Sequence, residues 1–254
     1  MLYINPERRI DMGWIKVVGI GPGDINDMTL KAYNALKECD VVVGYTTYIN
    51  LIKPLIEDKE VISSGMRKEV DRCKKAVELA LQGKNICIVS SGDAGIYGMA
   101  GLMYEVVHKE NIDLEIEVIP GVTALNSAAA ILGAPVMQDF AVISLSDHLI
   151  PWQVIEKRLE LSSQADFIIV LYNPKSKERP ENLIKAQKII MKYKKGDIPV
   201  GIVKNASREG QETVITTLKE MANHEIDMRT IIIIGNESTY VRNGKMITPR
   251  GYIL

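Results

Sequence analysis

The chain has 254 residues, with 31 Lys and Arg against 32 Asp and Glu and a formal net charge of −1. That near-neutrality excludes a chain-wide basic field for nucleic acid or an anionic membrane. With 46% apolar and 25% charged residues, the composition is that of an ordinary globular protein and not of a disordered tail.

Residues 1–14 precede the first apolar run and read as an N-terminal arm. Glu7, Arg8, Arg9 and Asp11 make it unlike a signal peptide. Short apolar runs near 15–20, 40–43, 60–62, 86–89 and 115–119 read as strands. Segments of helical period lie between them, near 29–38, 68–81 and 98–109. In the last of these Leu102, Met103, Val106 and Val107 share one face. VVVG and ICIV are apolar throughout rather than alternating, as parallel strands covered on both faces require. Pro120-Gly121 interrupts the pattern, and an Ala-rich helix near 123–132 follows, stopped by Gly133 and Pro135. The alternation resumes with strands near 141–145, 167–172, 200–204, 213–215 and 230–234, and with helices near 152–162 and 180–194.

The expected architecture is therefore α/β, in two unequal α/β domains: residues 15–122 with a mostly parallel sheet, and 123–254 with a mixed sheet. No repeat period occurs, and no apolar run reaches the ~18 residues of a membrane helix. Cys39, Cys73 and Cys87 form no CxxC pair and no disulfide framework, and predict buried thiols in a reducing compartment, the cytoplasm.

Ligands of open α/β sheets sit beyond the carboxyl ends of the strands. Gly19-Ile20-Gly21-Pro22-Gly23-Asp24 is unlike the dinucleotide fingerprint. Its third glycine is one place early, Pro22 removes an amide donor, and Asp24 adds negative charge where a pyrophosphate would lie. No GxxxxGK[ST] motif occurs either. A tight turn needing glycine accounts equally well for the same residues.

Ser90-Ser91-Gly92-Asp93-Ala94-Gly95-Ile96-Tyr97-Gly98 combines three glycines, a carboxylate and an apolar wall. It suits a ligand with an ammonium and an aromatic base but no phosphate, and the alternative is Asp93 as a helix N-cap. Pro120-Gly121-Val122-Thr123-Ala124 reads as a cap of the Ala-rich helix. Later loops gather basic residues (Lys175, Arg179 and Arg208, with Arg67 earlier), either as clamps for a polyanion or as a solvated rim. His108, His148 and His224 have no metal-ligand spacing and no GxSxG elbow occurs, so no protein-bound metal and no covalent nucleophile is expected.

In order, VGIGPGD, DVVVGYTTYI, SSGMRKE, SSGDAGIYGMA, IPGVTALNSAAAILGAP, SLSDHLIPW, LYNPKSKER and VKNASREGQE resemble the tetrapyrrole (corrin/porphyrin) methyltransferase family over residues 15–240. SSGMRKE, SLSDHLIPW and YNPKSKER are similar to its precorrin-3B and cobalt-factor III C-17-methyltransferase group. The resemblance implies a homodimer that binds S-adenosylmethionine in a cleft between the domains. It further implies methylation of a polycarboxylate corrin precursor, metal-free or cobalt-loaded, with ring contraction, in cobalamin biosynthesis. The matching cofactor positions are Pro22, Ser91, Gly92, Asp93, Ile96, Thr123, Ala124, Asn173 and Ala206. Arg67, Lys175, Arg179 and Arg208 are the implied substrate clamps. Ser64, Tyr45, Asp147 and His148 are conceivable proton donors or acceptors, none of them assigned as catalytic.

Uroporphyrinogen methyltransferases carry Tyr-Asp-Arg and Gly-Lys-Arg stretches where this chain has Gly44-Tyr45-Thr46 and Ser64-Gly65-Met66-Arg67. This departure argues against that substrate. The competing readings are a sibling enzyme methylating another position and a non-catalytic module that binds an adenosyl ligand.

Overall fold

The computed structural model describes residues 12–253. The chain divides into two compact units, Met1–Thr123 and Ala124–Leu254. Residues 1–11 of the expected arm lie outside the described residues. Gly13 already belongs to the N-terminal unit, its amide donating to the Ala80 carbonyl at 2.9 Å.

The N-terminal unit alternates β1 (Ile15–Gly19), α1 (Leu30–Glu38), β2 (Val41–Tyr45), α2 (Thr46–Leu51), β3 (Glu60–Ser64), α3 (Glu69–Ala80), β4 (Ile86–Ser90), α4 (Ala100–Glu110) and β5 (Ile116–Ile119). Its sheet has the order β3-β2-β4-β1-β5, and every pairing is parallel. The uniformly apolar strands are explained by the two layers that cover them. Val17, Val41, Val43 and Ile88 pack with Cys73 and Ala76 of α3 and Met103 of α4. Val18, Val42 and Val89 pack with Ala32 and Leu36 of α1 and Ile49 of α2. The side chains of β1, β2 and β4 thus alternate between two hydrophobic layers that shield them from water. The Thr29 hydroxyl caps α1 by accepting from the Ala32 amide at 3.1 Å.

The C-terminal unit contains α5 (Ala124–Leu132), β6 (Gly133–Ala134), β7 (Phe140–Ser144), α6 (Trp152–Gln164), β8 (Ile168–Tyr172), α7 (Asn182–Ile190), β9 (Pro199–Lys204), β10 (Glu212–Thr217), β11 (Thr230–Ile234), β12 (Tyr240–Arg242) and β13 (Lys245–Ile247). Its main sheet has the order β10-β9-β11-β8-β7, parallel only between β7 and β8 and antiparallel elsewhere. One face packs on Ile155 and Leu159 of α6 and Leu183 and Ala186 of α7. The other packs on Leu125, Ala128 and Leu132 of α5.

The expected pair of sheets, parallel then mixed, is what the chain forms. Three features differ in detail. The helix expected over 180–194 is regular only over Asn182–Ile190. Helix α2 forms in a segment with no visible helical period. A small sheet, β12-β13-β6, closes the C-terminal unit. Its hairpin turns at Asn243-Gly244 with φ of 52° and 70°, the conformation that an Asn-Gly pair favours.

All three cysteines are buried and unpaired. No helix among the described residues is long and apolar enough to cross a membrane.

Candidate active site

Strand β1 lies between β4 and β5, so the loops that leave these three strands are neighbours at the carboxyl edge of the N-terminal sheet. They are tied together chiefly through main chain. Gly21 and Gly92 exchange amide hydrogen bonds, Gly21 to the Gly92 carbonyl at 3.1 Å and Gly92 to that of Gly21 at 2.7 Å. Both glycines have positive φ, 81° and 69°, which a side chain disfavours. A Cβ at Gly121 would stand 2.1 Å from the Gly92 carbonyl oxygen and 2.6 Å from that of Gly19. The glycines therefore let three strands' loops touch one another.

Asp93 is the polar pin of this knot. Its Oδ1 accepts from the Gly95 amide at 2.7 Å and its Oδ2 from the Gly121 amide at 2.9 Å. It does not cap α4, which begins only at Ala100. The Ser90 hydroxyl closes that loop instead, accepting from the Met99 amide at 3.1 Å. Asp24 caps the 3-10 turn Ile25–Asp27 through the Asn26 amide at 2.8 Å. Pro22 is buried in the first loop and Ser91 half-buried in the second. At the crest of the second loop Ile96 and Tyr97 are about half exposed. Tyr97 holds φ at 53°, an outlier for a bulky side chain that the surrounding loop imposes. Thr123 is buried where the third loop ends.

Arg67 sits in the loop after β3, exposed and with φ at 62°. Neither it nor Ser64 belongs to the three-loop knot.

In the C-terminal unit the loops after β7, β8 and β9 and the turn entering β11 share one sheet edge. The Asn173 amide donates to the Ser144 hydroxyl at 2.9 Å, and the Leu145 amide donates to the Tyr172 carbonyl at 2.9 Å. Asn182, at the start of α7, donates to the Leu145 carbonyl at 2.9 Å. The loops SLSDHLIPW and YNPKSKER are thereby one assembly. Asn173, Asn205 and Ser207 all adopt left-handed backbone, with φ of 50–55°. The Ser127 and Ser207 hydroxyls meet at 2.7 Å, which fixes the loop of the buried Ala206 against α5, the helix that Ala124 opens.

Lys175 and Arg208 are half-buried in this group of loops. Arg179 Nε donates to the Ser176 hydroxyl at 3.2 Å and its Nη2 contacts Met228 Sδ at 3.4 Å, while Nη1 is buried without a partner among the described residues. In the turn entering β11, burial alone would raise the Asp227 pKa. The Arg229 amide, its guanidinium and the Thr230 hydroxyl outweigh that and hold the carboxyl below its usual range.

Sequence reasoning located these loops but missed Arg72, which reaches from α3 to the loop after β3. It is 6% exposed and donates to the Ser64 hydroxyl and the Gly65 carbonyl, both at 2.9 Å. A basic residue within a charged helix carries no sign of burial. No cluster of metal-ligating side chains occurs among the described residues.

The chain is 50% identical over 240 residues to a probable cobalt-factor III C(17)-methyltransferase of Salmonella typhimurium, covering 94% of this chain and all of that protein. It is also 50% identical over 244 residues to the cobalt-factor III methyltransferase of Priestia megaterium, covering 94% of this chain but spanning only 45% of the length of that relative. A precorrin-3B C(17)-methyltransferase of Sinorhizobium is 37% identical, with 94% of this chain and 97% of that one covered. The crystal structure of the methyltransferase CobJ superposes with a TM-score of 0.87 at 34% identity, over 93% of this chain and 100% of that one. The family profile of tetrapyrrole (corrin/porphyrin) methylases matches residues 15–222. With more than half its length so matched, the chain belongs to the tetrapyrrole methylase family.

Proposed function

We propose that this chain transfers a methyl group from S-adenosylmethionine to carbon 17 of a corrin precursor, with contraction of the macrocycle, in cobalamin biosynthesis. The observation that carries the reading is the 50% identity to the Salmonella protein over 94% of this chain and that protein's full length. The two relatives at 50% identity are both named for cobalt-factor III, and the precorrin-3B relative stands at 37%. This favours a substrate that already holds cobalt. Neither the sibling enzyme nor the non-catalytic module is favoured by these likenesses.

The donor set of the N-terminal loops fits the proposed cofactor. Residues 19–24, 90–98 and 119–123 contain no Lys or Arg and present carboxylates at Asp24 and Asp93. Such a set accepts a cation and repels a pyrophosphate. When bound, the cofactor supplies an electrophilic methyl group on a positively charged sulfur. The protein then has to align the reacting carbon with that methyl at about 3–3.5 Å and exclude water, with no covalent nucleophile needed.

In this reading the Asp93 carboxylate and the amides around Gly92 hold the amino-acid end, and Ile96 shelters the base. Pro22, Ser91, Thr123, Ala124, Asn173 and Ala206 complete the contacts. Arg67, Lys175, Arg179 and Arg208 clamp substrate carboxylates. Three buried, reduced thiols accord with a cytoplasmic protein, and homodimeric assembly is carried over from the resemblance.

The decisive experiment incubates the purified protein anaerobically with isotopically labelled methyl donor and either cobalt-factor III or precorrin-3B. Product mass and NMR position then identify the methylated carbon. Label at carbon 17 with a contracted ring is expected, and label elsewhere would reassign the enzyme.

A further inference from the structure

The motif SSGMRKE plays no part in the cofactor loops, yet it is clasped by a buried cation, Arg72, from the helix that follows it. Arg72 Nη1 donates to Ser64 Oγ and to the Gly65 carbonyl, both at 2.9 Å. Its Nη2 pairs with Glu69 Oε1 at 3.1 Å. A second clasp comes from the Thr46 hydroxyl, which donates to the Ser64 carbonyl at 3.3 Å. Ser64 is the register partner of Tyr45 on β2, so it ends the edge strand on the same carboxyl edge as the cofactor loops.

Two features take this beyond loop anchoring. Gly65 and Glu69 already anchor the guanidinium at both terminal nitrogens, so the Ser64 bond is not needed to hold it in place. That bond occupies a lone pair of Oγ with a charged donor, and the hydroxyl proton is what Ser64 then has to offer a ligand. A guanidinium on the oxygen polarises the hydroxyl and makes it a stronger donor toward an anion. Ser64 stands two strands from the end of β4, about 10 Å at ~4.8 Å per strand. That is the breadth of a four-ring macrocycle whose reacting edge lies at the cofactor.

We propose that Ser64 is a substrate-binding donor, its hydroxyl oriented by Arg72 toward a carboxylate on the rim of the tetrapyrrole. This assignment rests on the proposed function. Arg72 acts through Ser64 and is a positioning residue. Met66, 63% exposed beside it, supplies apolar contact to the macrocycle.

The test uses the full-length protein with cobalt-factor III under anaerobic conditions. Binding is read by absorbance titration without methyl donor, and turnover separately. Ser64→Ala is expected to weaken tetrapyrrole binding about tenfold and to raise KM similarly. It should leave S-adenosylmethionine affinity and the thermal midpoint unchanged, because Gly65 still accepts from Arg72. Ser64→Thr, which keeps the hydroxyl, restores most of the binding. Arg72→Gln weakens binding in the Ser64 background but adds little to Ser64→Ala.

Undiminished binding in Ser64→Ala overturns the assignment. So does a loss that Ser64→Thr fails to restore, or one matched by a fall in cofactor affinity or melting temperature. Wild-type protein that binds the tetrapyrrole but does not methylate it refutes the proposed reaction while the Ser64 comparison remains readable. Wild-type protein that does not bind it overturns both.

Discussion

The Asp93 carboxylate and the Gly121 amide, 2.9 Å apart, join the loop after β4 to the loop after β5, and the Gly95 amide takes the other carboxylate oxygen. The carboxylate proposed to meet the cofactor thus also holds two loops in place. Asp93→Ala should therefore lower stability by about 1–2 kcal/mol in denaturant unfolding as well as weaken cofactor binding by calorimetry. Asp93→Asn, which keeps one acceptor oxygen, should recover part of the stability but little of the affinity. A variant that loses affinity at full stability would show that the carboxylate serves the ligand alone.

Gly121 tolerates no side chain. A Cβ there meets two backbone carbonyl oxygens, at 2.1 and 2.6 Å, and neither can rotate away. Gly121→Ala should cost about 3 kcal/mol or more and disperse the three loops. Gly65→Ala meets nothing within 4 Å and should stay within about 0.5 kcal/mol of wild type. Equal melting temperatures for the two variants would refute the backbone packing described.

Arg179 is the most committed of the proposed clamps, with one nitrogen on Ser176 and another on Met228. Arg179→Ala and Lys175→Ala should each raise the tetrapyrrole KM about five- to tenfold, with S-adenosylmethionine affinity unchanged. Arg179→Lys should not rescue, since a point charge lacks the planar fork. A larger effect on cofactor than on substrate would remove both residues from the clamp.

Asp227 gives stability a defined pH dependence. Its carboxyl pKa is lowered in the folded protein from an ordinary 3.8, so the unfolded chain binds the proton more tightly. The stabilisation is then fully present above pH 3.8 and is lost as pH falls through the lowered folded value. Asp227→Asn should be less stable than wild type at pH 6, and the gap should narrow toward pH 3. A gap that widens on acidification would reverse the sign of the argument.

Burial pushes the Cys73 thiol up to about 12, and Cys39 and Cys87 are equally enclosed. Native protein at pH 8 should resist alkylation at all three positions and take up three equivalents once unfolded, as thiol counting by mass will show.

Patterning was enough to read the strands of the two main sheets and most helices in order, because apolar runs bounded by glycine turns are the segments that burial favours; it missed α2 and the small sheet of β6, β12 and β13. It also located the loops at strand ends, where backbone-rich, phosphate-averse segments stand out by composition. What the residues did not reveal was which partner each polar group would take. Asp93 has the spacing of a cap, yet its carboxylate makes a local bond to Gly95 and reaches Gly121 because β1 sits between β4 and β5. Arg72 looks like one more charge on a helix, and only the fold turns it inward to Ser64. Helix α2 forms where the chain leaves a buried strand and must cover Val42 and Val89, a tertiary demand without periodic trace. Short-range signals fix what a segment can become, and the pairing of distant segments fixes what each side chain is left to do.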